Sequence, residues 1–180
     1  CAPFVLGVPV ISRDAFAYVA QGTLMHRGLD PYRVPVARLG HSALLGAVDP
    51  VWRHTMTPYG PIGLRVEQFA VWVGAGNEVG ALIALRLISA LAVAVAAACV
   101  WRLSPTTRRQ FLTWLMLSPL VLLHLVSGMH LDALVLAFLA LCAWALRHGN
   151  TCLAIALAVV ARLDGGTPLS WPSRPCSAAP

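Results

Sequence analysis

The sequence predicts an all-α, polytopic transmembrane helical bundle with a long first loop that carries short interfacial helices. The 180 residues are 58% hydrophobic and only 11% charged, with a mean hydropathy of +0.74, whereas a soluble domain carries about a quarter charged residues. The apolar residues also come in long blocks, as they do in membrane-spanning helices. The formal charge of +6 comes without a basic stripe interleaved with exposed aromatics, which excludes a nucleic-acid-binding protein.

The chain opens on a short apolar stretch and a long polar-aromatic segment. Residues 1–12 resemble the last part of a span, and residues 13–61 are too apolar for a disordered connection. Connections this long are usually functional, so we expect the segment to fold onto the membrane face as short helices. The first helix is predicted from Asp14, an acid at its N-terminal end, to Gly28, a stop signal.

The remaining elements are predicted to be helices at or across the membrane. Residues 62–76 are short, amphipathic and interrupted by polar side chains, which favours a helix lying in the interface. Residues 78–101 predict a full span of about 36 Å. Residues 111–127 and 129–147 predict two more spans, joined by a tight turn at Ser127-Gly128.

The C-terminal end departs from this pattern. A further apolar run begins at Thr151 but stops near Val160, after about 10 residues where about 20 are needed to span a bilayer. Residues 161–180 are rich in Gly, Pro and Ser, and we expect a disordered or aberrant tail. We therefore expect residues 1–160 to be part of a longer membrane domain. The five cysteines form no CxxC or CxxH pair, so we interpret them as small hydrophobic residues.

The arginines of the short loops predict the orientation. The loop at 102–109 and the one that begins at Arg147 are arginine-bearing, which predicts that both are cytoplasmic. Residues 13–61 and the turn around His130 then share the outer side. The alternative is that residues 62–76 form a true span, which would put residues 13–61 inside the cell and opposite His130.

Asp14 is the first candidate for chemistry, and two interpretations remain open for it. An Asp at the head of an interfacial helix commonly caps that helix. A carboxylate near the lipid headgroups can also act as a general base toward a hydroxyl group. The two roles are compatible, because a capping side chain is held rigidly.

Two further groups of polar residues stand at element boundaries. His130 and Asp132 lie where one predicted span ends and the next begins; Asp132 either complements the positive helix end or belongs to a site. As a metal site the pair is weak, since it supplies two ligands and no third is evident. The segment that contains Arg53 and Tyr59 either forms a turn before a helix that begins at Pro61, or binds a phosphate or sugar through these two side chains.

Two polar residues fall inside predicted spans. An Arg at the centre of a span costs roughly 2.5–3.5 kcal/mol on insertion scales, so Arg86 is expected to snorkel, pair across helices or meet a lipid-linked phosphate. His124 is expected to be a packed polar residue bonded to a neighbouring helix.

Four stretches together carry a family resemblance. The stretches "SRDAFAYVAQG…GLDPYRVPV", "TPYGPIGL", "ALRLISALAVA" and "LSPLVLLHLVSGMHLDALVLAF" resemble the actinobacterial polyprenol-phosphate-mannose-dependent α-1,6-mannosyltransferases, which are multi-spanning GT-C glycosyltransferases. The resemblance covers about residues 1–160. The family's acid in the first outer loop matches Asp14, and its Gly-x-His-x-Asp turn matches Gly128, His130 and Asp132. One departure is Leu131, where a polar Asn is expected.

The resemblance implies an inverting hexosyltransferase of the plasma membrane with an extracytoplasmic active face. It would move mannose from polyprenyl-phosphate mannose to a lipid-anchored mannan, the backbone of lipomannan and lipoarabinomannan. Membrane lipids are further expected partners, and we assign no cofactor, metal or nucleic acid. The alternatives are a non-catalytic multi-pass protein or transporter, and an inactive truncated fragment of the transferase. The expected catalytic base is Asp14, Arg86 is a possible lipid-phosphate contact, and the expected substrate-binding residues are Arg13, Tyr18, Arg53, Tyr59, His130 and Asp132.

Overall fold

The computed structural model describes residues 13–103, 110, 113 and 118–164. Every regular element within these residues is helical, which confirms the predicted all-α class. The first part contains α1 (Asp14–His26), a 3₁₀ turn (Val36–Leu39), α2 (Ala43–Ala47), α3 (Pro50–Arg53) and α4 (Pro61–Val73). The second part contains α5 (Glu78–Leu103), a π-helix (Leu120–Ser127), α6 (Asp132–Arg147) and α7 (Thr151–Asp164).

Helix α1 ends as the sequence predicts. Gly28 adopts a φ of 75°, the left-handed conformation in which glycine has no Cβ penalty. The backbone N–H of Gly28 donates to Met25, and that of Leu29 donates to Leu24. These are the two hydrogen bonds of a Schellman motif. Leu29 then packs against the core, so the chain leaves the helix already turned back toward the protein.

Helices α1 and α4 cross in contact at a glycine. A Cβ added to Gly22 would lie 2.4 Å from the backbone oxygen of Glu67 and 3.0 Å from Val71. Only a residue without a side chain lets the two helix backbones approach this closely. Gln68 adds a tie, because its amide donates to the Met25 carbonyl at 3.3 Å. The position of α1, and of every side chain on it, therefore depends on this crossing.

Among the described residues, the helices bury two apolar clusters. In the first, α1 packs against α4 and α5, together with the small elements between residues 36 and 53 and with Met129. In the second, α5 packs against the π-helix and α6. Helix α7 then packs on α6 and α4. Because Met129 belongs to the first cluster, the bend before α6 is held against α1.

Of the predicted spans within the described residues, α5 is a candidate by its length and composition. This helix is 26 residues long, or about 39 Å, and it is long and apolar enough to cross a membrane. The π-helix and α6 are bent by 112° at their junction, and the pair is a second candidate only if it counts as one span. Residues 111–112 and 114–117 of the predicted 111–127 span lie outside the described residues.

The last helix is longer than the apolar run suggested. Helix α7 has 14 residues and continues to Asp164. Ala161 lies two helical turns after Ala154, and both are buried. The same face of α7 therefore stays buried past Val160. Most of the predicted tail, residues 165–180, lies outside the described residues.

Candidate active site

Asp14 lies at the start of α1 and is oriented by a tryptophan. The N-cap position falls on Arg13, which makes no side-chain cap bond, and Asp14 is the first residue of the helix. The indole N–H of Trp52 donates to Asp14 Oδ1 at 2.7 Å. The Asp14 side chain remains 25% exposed. The carboxylate is thus held in one orientation while a solvent-side ligand can still reach it.

His130 brings the bend before α6 to the same place. Its Nε2 lies 3.8 Å from Asp14 Oδ2, which is too long for a hydrogen bond. Its Nδ1 lies 3.1 Å from the hydroxyl of Tyr18. The His130 residue is buried, and that burial, followed by the neighbouring His124, lowers its pKa. The folded protein therefore favours the neutral imidazole.

Two tyrosines form the floor of the site. The Tyr18 and Tyr59 hydroxyls are 2.9 Å apart, with their rings packed edge to face. Burial raises the pKa of Tyr18 far above its usual range, and burial also raises the pKa of Tyr59 to about 12. Both phenols stay protonated at neutral pH, so each can donate one hydrogen bond and accept others.

The loop that carries Tyr59 is fixed by its own hydrogen bonds. Tyr59 accepts at its carbonyl from the Tyr32 hydroxyl, and its N–H donates to Thr57 Oγ1. Thr57 in turn donates to Gln21 on α1 at 2.9 Å. This pairing satisfies two buried polar side chains and ties the "TPYGP" segment to the helix that carries Asp14.

The bend itself has unusual backbone geometry. The π-helix before it is a form found mostly as short segments near functional sites. Met129 has a φ of 55°, which is uncommon for a residue with a side chain. A Cβ on Gly128 would lie 2.5 Å from the His124 carbonyl and 2.8 Å from His130 Cδ2. A glycine is therefore needed at position 128, because the His130 ring folds back against the π-helix there.

The structure brings together most of the predicted site residues. Asp14, Tyr18, Tyr59 and His130 form one connected group. Asp132, exposed at the start of α6, adjoins the group through His130. Tyr18 is only 1% exposed, and its hydroxyl contacts His130 and Tyr59; its role in substrate binding stays a prediction. Site-residue assignments beyond this geometry stay predictions.

The predicted arginines have different environments. The Arg53 guanidinium donates to the carbonyls of Val48 and Gly46. These bonds hold it at the end of α2, and none of them joins it to the Asp14 group. Arg13 is exposed next to Asp14. Arg86 is 7% exposed on α5, which disfavours snorkelling and favours a partner within the protein.

Sequence reasoning missed two members of the site. Trp52 lies far from Asp14 in the chain, and only the fold of residues 36–53 reveals the bond between them. His124 was expected to bond across helices, yet its ring stacks on His130 with centroids 3.8 Å apart and 18° between the planes. An α-helical register through residue 127 gives no hint of this contact, because the π-helix and the bend create it.

The fold and the site together define a helical protein with a membrane-length helix and an Asp-His-Tyr group at one end of it. Residues 1–164 match the family described as "Alpha-(1->6)-mannopyranosyltransferase, N-terminal domain". The chain belongs to this family, as the resemblance predicted.

Curated relatives agree with the family. The chain is 39% identical over 142 residues to Alpha-(1->6)-mannopyranosyltransferase A of Mycobacterium tuberculosis, covering 77% of the chain and 27% of the relative. It is 27% identical over 141 residues to the protein of that name in Corynebacterium glutamicum, covering 77% and 29%. A probable alpha-(1->6)-mannopyranosyltransferase of Mycolicibacterium smegmatis is 36% identical, covering 76% and 25%. The chain thus spans about a quarter of the length of these relatives, and no solved structure matches it.

Proposed function

We propose that this chain contributes the catalytic carboxylate of a membrane mannosyltransferase that uses polyprenyl-phosphate mannose as donor. The acceptor is a mannose hydroxyl of a lipid-anchored mannan, and the new linkage is α-1,6. The observation that carries the proposal is Asp14, held by Trp52 and a quarter exposed, in a chain whose family is named for α-1,6 mannosyl transfer. No cofactor is part of this proposal.

The chemistry follows from one carboxylate and one leaving phosphate. Asp14 accepts the proton of the acceptor hydroxyl while that oxygen attacks C1 of the donor mannose. The bond from C1 to the phosphate oxygen breaks, and the electron pair leaves with polyprenyl phosphate. Attack opposite the phosphate inverts the β-linked donor to an α-linked product. Arg13, exposed beside Asp14, stabilises the negative charge that develops on the leaving phosphate.

His130 and Asp132 orient the sugar beside this base. The buried hydroxyl pair of Tyr18 and Tyr59 fixes one edge of the His130 ring, so that ring acts as a rigid wall next to Asp14. Arg53 has no part in this account, because its guanidinium is bonded to backbone carbonyls.

The apolar surface of the protein supports a membrane setting with several spans. Helix α5 exposes Val79, Ile83, Leu87 and Leu91, each 52–64% accessible, along one helical stripe. Helices α6 and α7 also expose large aliphatic side chains. Soluble proteins rarely expose such contiguous apolar surface. On α4, Phe69 and Trp72 are exposed at adjacent turns, as expected for a helix at the lipid headgroups.

A donor experiment tests the proposed reaction. In a chimera, residues 13–164 replace the matching part of the M. tuberculosis relative, and membranes are washed free of nucleotide sugars. We expect transfer from radiolabelled polyprenyl-phosphate mannose but none from GDP-mannose when synthesis of the lipid-linked donor is blocked. The product should be sensitive to an α-1,6-specific mannosidase. Donor retention without any new glycosidic bond would instead favour a transporter or other non-catalytic protein.

The proposed orientation has its own test. In a cysteine-free background, single cysteines replace Ser42, Thr107 and Asn150. An impermeant thiol reagent added outside intact cells should label position 42 and spare positions 107 and 150, since the arginine-bearing loops are expected in the cytoplasm. Lysed cells provide the control, because all three positions should then react. Labelling of 107 with protection of 42 would reverse the orientation and place Asp14 inside the cell.

A further inference from the structure

Three metal-ligating side chains meet around the bend between the π-helix and α6. They are His124 on the π-helix, His130 in the bend and Asp132 at the first position of α6, and one ligand atom from each lies within 4.8 Å of the others. We propose that these residues bind a divalent first-row transition metal ion. The sequence alone supplied only His130 and Asp132; the fold brings His124 beside them as a third candidate ligand.

The donor set points to the class of metal. Imidazole suits zinc and the neighbouring transition metals, and two imidazoles with one carboxylate are a recurring set for such ions. Magnesium and calcium prefer oxygen ligands throughout, and this group offers only one oxygen-bearing side chain among three. The metal expected here is therefore of the zinc, manganese or cobalt type.

Metal binding requires a local rearrangement of these three side chains. Metal–ligand bonds of about 2.0–2.2 Å place tetrahedral ligand atoms about 3.4 Å apart, so the widest separation here must close by roughly 1.4 Å. Asp132 is exposed, and its carboxylate can cover that distance by a change of rotamer. The two histidine rings are stacked nearly face to face, and imidazole lone pairs lie in the ring plane. One ring must therefore rotate to another side-chain rotamer before both nitrogens can meet one ion.

A supporting hydrogen bond prepares His130 for this role. Histidine ligands almost always donate their other ring N–H to a fixed partner, which sets the tautomer. Tyr18 provides that partner at 3.1 Å from Nδ1, and its hydroxyl can accept this proton while donating to Tyr59. The lone pair is then on Nε2, which faces Asp14 Oδ2 at 3.8 Å. A cation bound at Nε2 would lie beside a carboxylate, which favours its binding.

The backbone of the bend supports the same conclusion. The π-helix is a rare conformation, and the positive φ of Met129 costs conformational energy. Gly128, which has no Cβ, leaves the space that the His130 ring occupies. Their combined result is to bring His124 onto His130. The backbone of the bend thereby places both imidazoles within reach of one ion.

Three protein ligands leave at least one coordination position for another oxygen ligand. In the proposed transferase, a phosphate oxygen of the lipid-linked donor would fit that position. This last step rests on the proposed function, whereas metal binding itself does not.

A cobalt titration tests the proposal directly. The 180-residue chain is purified in detergent, treated with a chelator, and titrated with Co²⁺ while its visible absorption is recorded. We expect a single site with nitrogen and oxygen ligation, from which Zn²⁺ displaces Co²⁺. His124→Ala and Asp132→Asn should each weaken binding at least tenfold, and Tyr18→Phe by about 10–100-fold, as loss of an outer-shell partner does. His148→Ala is the matched control, because His148 is exposed and bonds to Trp144 at the far end of α6.

Asp132→Asn is expected to leave folding unchanged, because the side chain is exposed. A loss of metal binding in this variant therefore reports on the site and not on the fold. Absence of one-to-one binding to the wild-type chain would overturn the proposal. Binding that Asp132→Asn and His124→Ala leave unchanged would do the same. Mannose transfer by a chimera that binds no metal would reject the metal site and leave the proposed reaction standing.

Discussion

Replacing Asp14 with Asn is expected to reduce mannose transfer by about 10²–10⁴-fold, the usual contribution of a general base. The amide keeps an oxygen that can accept the bond from Trp52, 2.7 Å away in the wild type, so folding should be preserved. Only the ability to accept a proton is lost. The measurement is radiolabelled mannose transfer in membranes containing the chimera, normalised to the amount of inserted protein.

Asp30→Asn is the matched control for this experiment. Asp30 is an exposed acid of the same segment, which accepts from the Tyr32 backbone and pairs with Arg33. Exposed ion pairs contribute little, so transfer should stay within about twofold of wild type. Equal losses in the two variants would show that the segment is sensitive to charge in general and that Asp14 has no special role.

Gly22→Ala is expected to destabilise the protein by about 1–3 kcal/mol, the usual cost of overpacking. The new Cβ would lie 2.4 Å from the Glu67 backbone oxygen, so α1 and α4 must separate. The gain in helix propensity, about 1 kcal/mol, offsets only part of this cost. Because Tyr18 lies one turn earlier on α1, the movement should also shift the hydroxyl that holds His130. Thermal unfolding of the purified chain in detergent measures the effect.

Gly46→Ala separates the packing effect from helix propensity. Gly46 lies in α2, and a Cβ there would have nothing within 4 Å, so this substitution should be neutral or slightly stabilising. If the two variants unfold at the same temperature, the close crossing of α1 and α4 does not exist in the folded protein.

The sequence predicted those helices whose ends and lengths depend on neighbouring residues in the chain. The start of α1 at Asp14, its end at Gly28 and the membrane-length helix α5 follow from spacing, a stop residue and apolar length. Helix α4 was predicted as short and amphipathic, and it is a 13-residue helix. However, its Glu67 is fully buried where an interfacial position was expected, because the crossing at Gly22 turns that side of α4 toward α1.

The site could be predicted only in part, because its remaining contacts join distant or irregular segments. Asp14, His130 and Asp132 were found from their positions at element boundaries and from the family motifs. Trp52 could not be found, since its bond to Asp14 joins residues 38 positions apart. His124 was hidden because the π-helix departs from the regular spacing on which sequence interpretation relies.

Arg53 has bonding partners that the sequence could not show. An Arg near a Tyr in a long outer loop suggested phosphate recognition. The structure uses that guanidinium to satisfy the carbonyl groups of Gly46 and Val48 at the end of α2, since unpaired helix-end carbonyls are costly to bury. The sequence shows that an arginine is present, but it does not show which groups that arginine bonds to.

The most direct test of the central claim, that Asp14 is the base of mannosyl transfer, is to compare donor binding with transfer in one variant. Membranes containing the wild-type or Asp14→Asn chimera are incubated with radiolabelled polyprenyl-phosphate mannose, and retained donor and transferred mannose are both counted. The account predicts that Asp14→Asn retains the donor as well as wild type does while transfer falls at least 100-fold. Transfer at the wild-type rate by Asp14→Asn would contradict it.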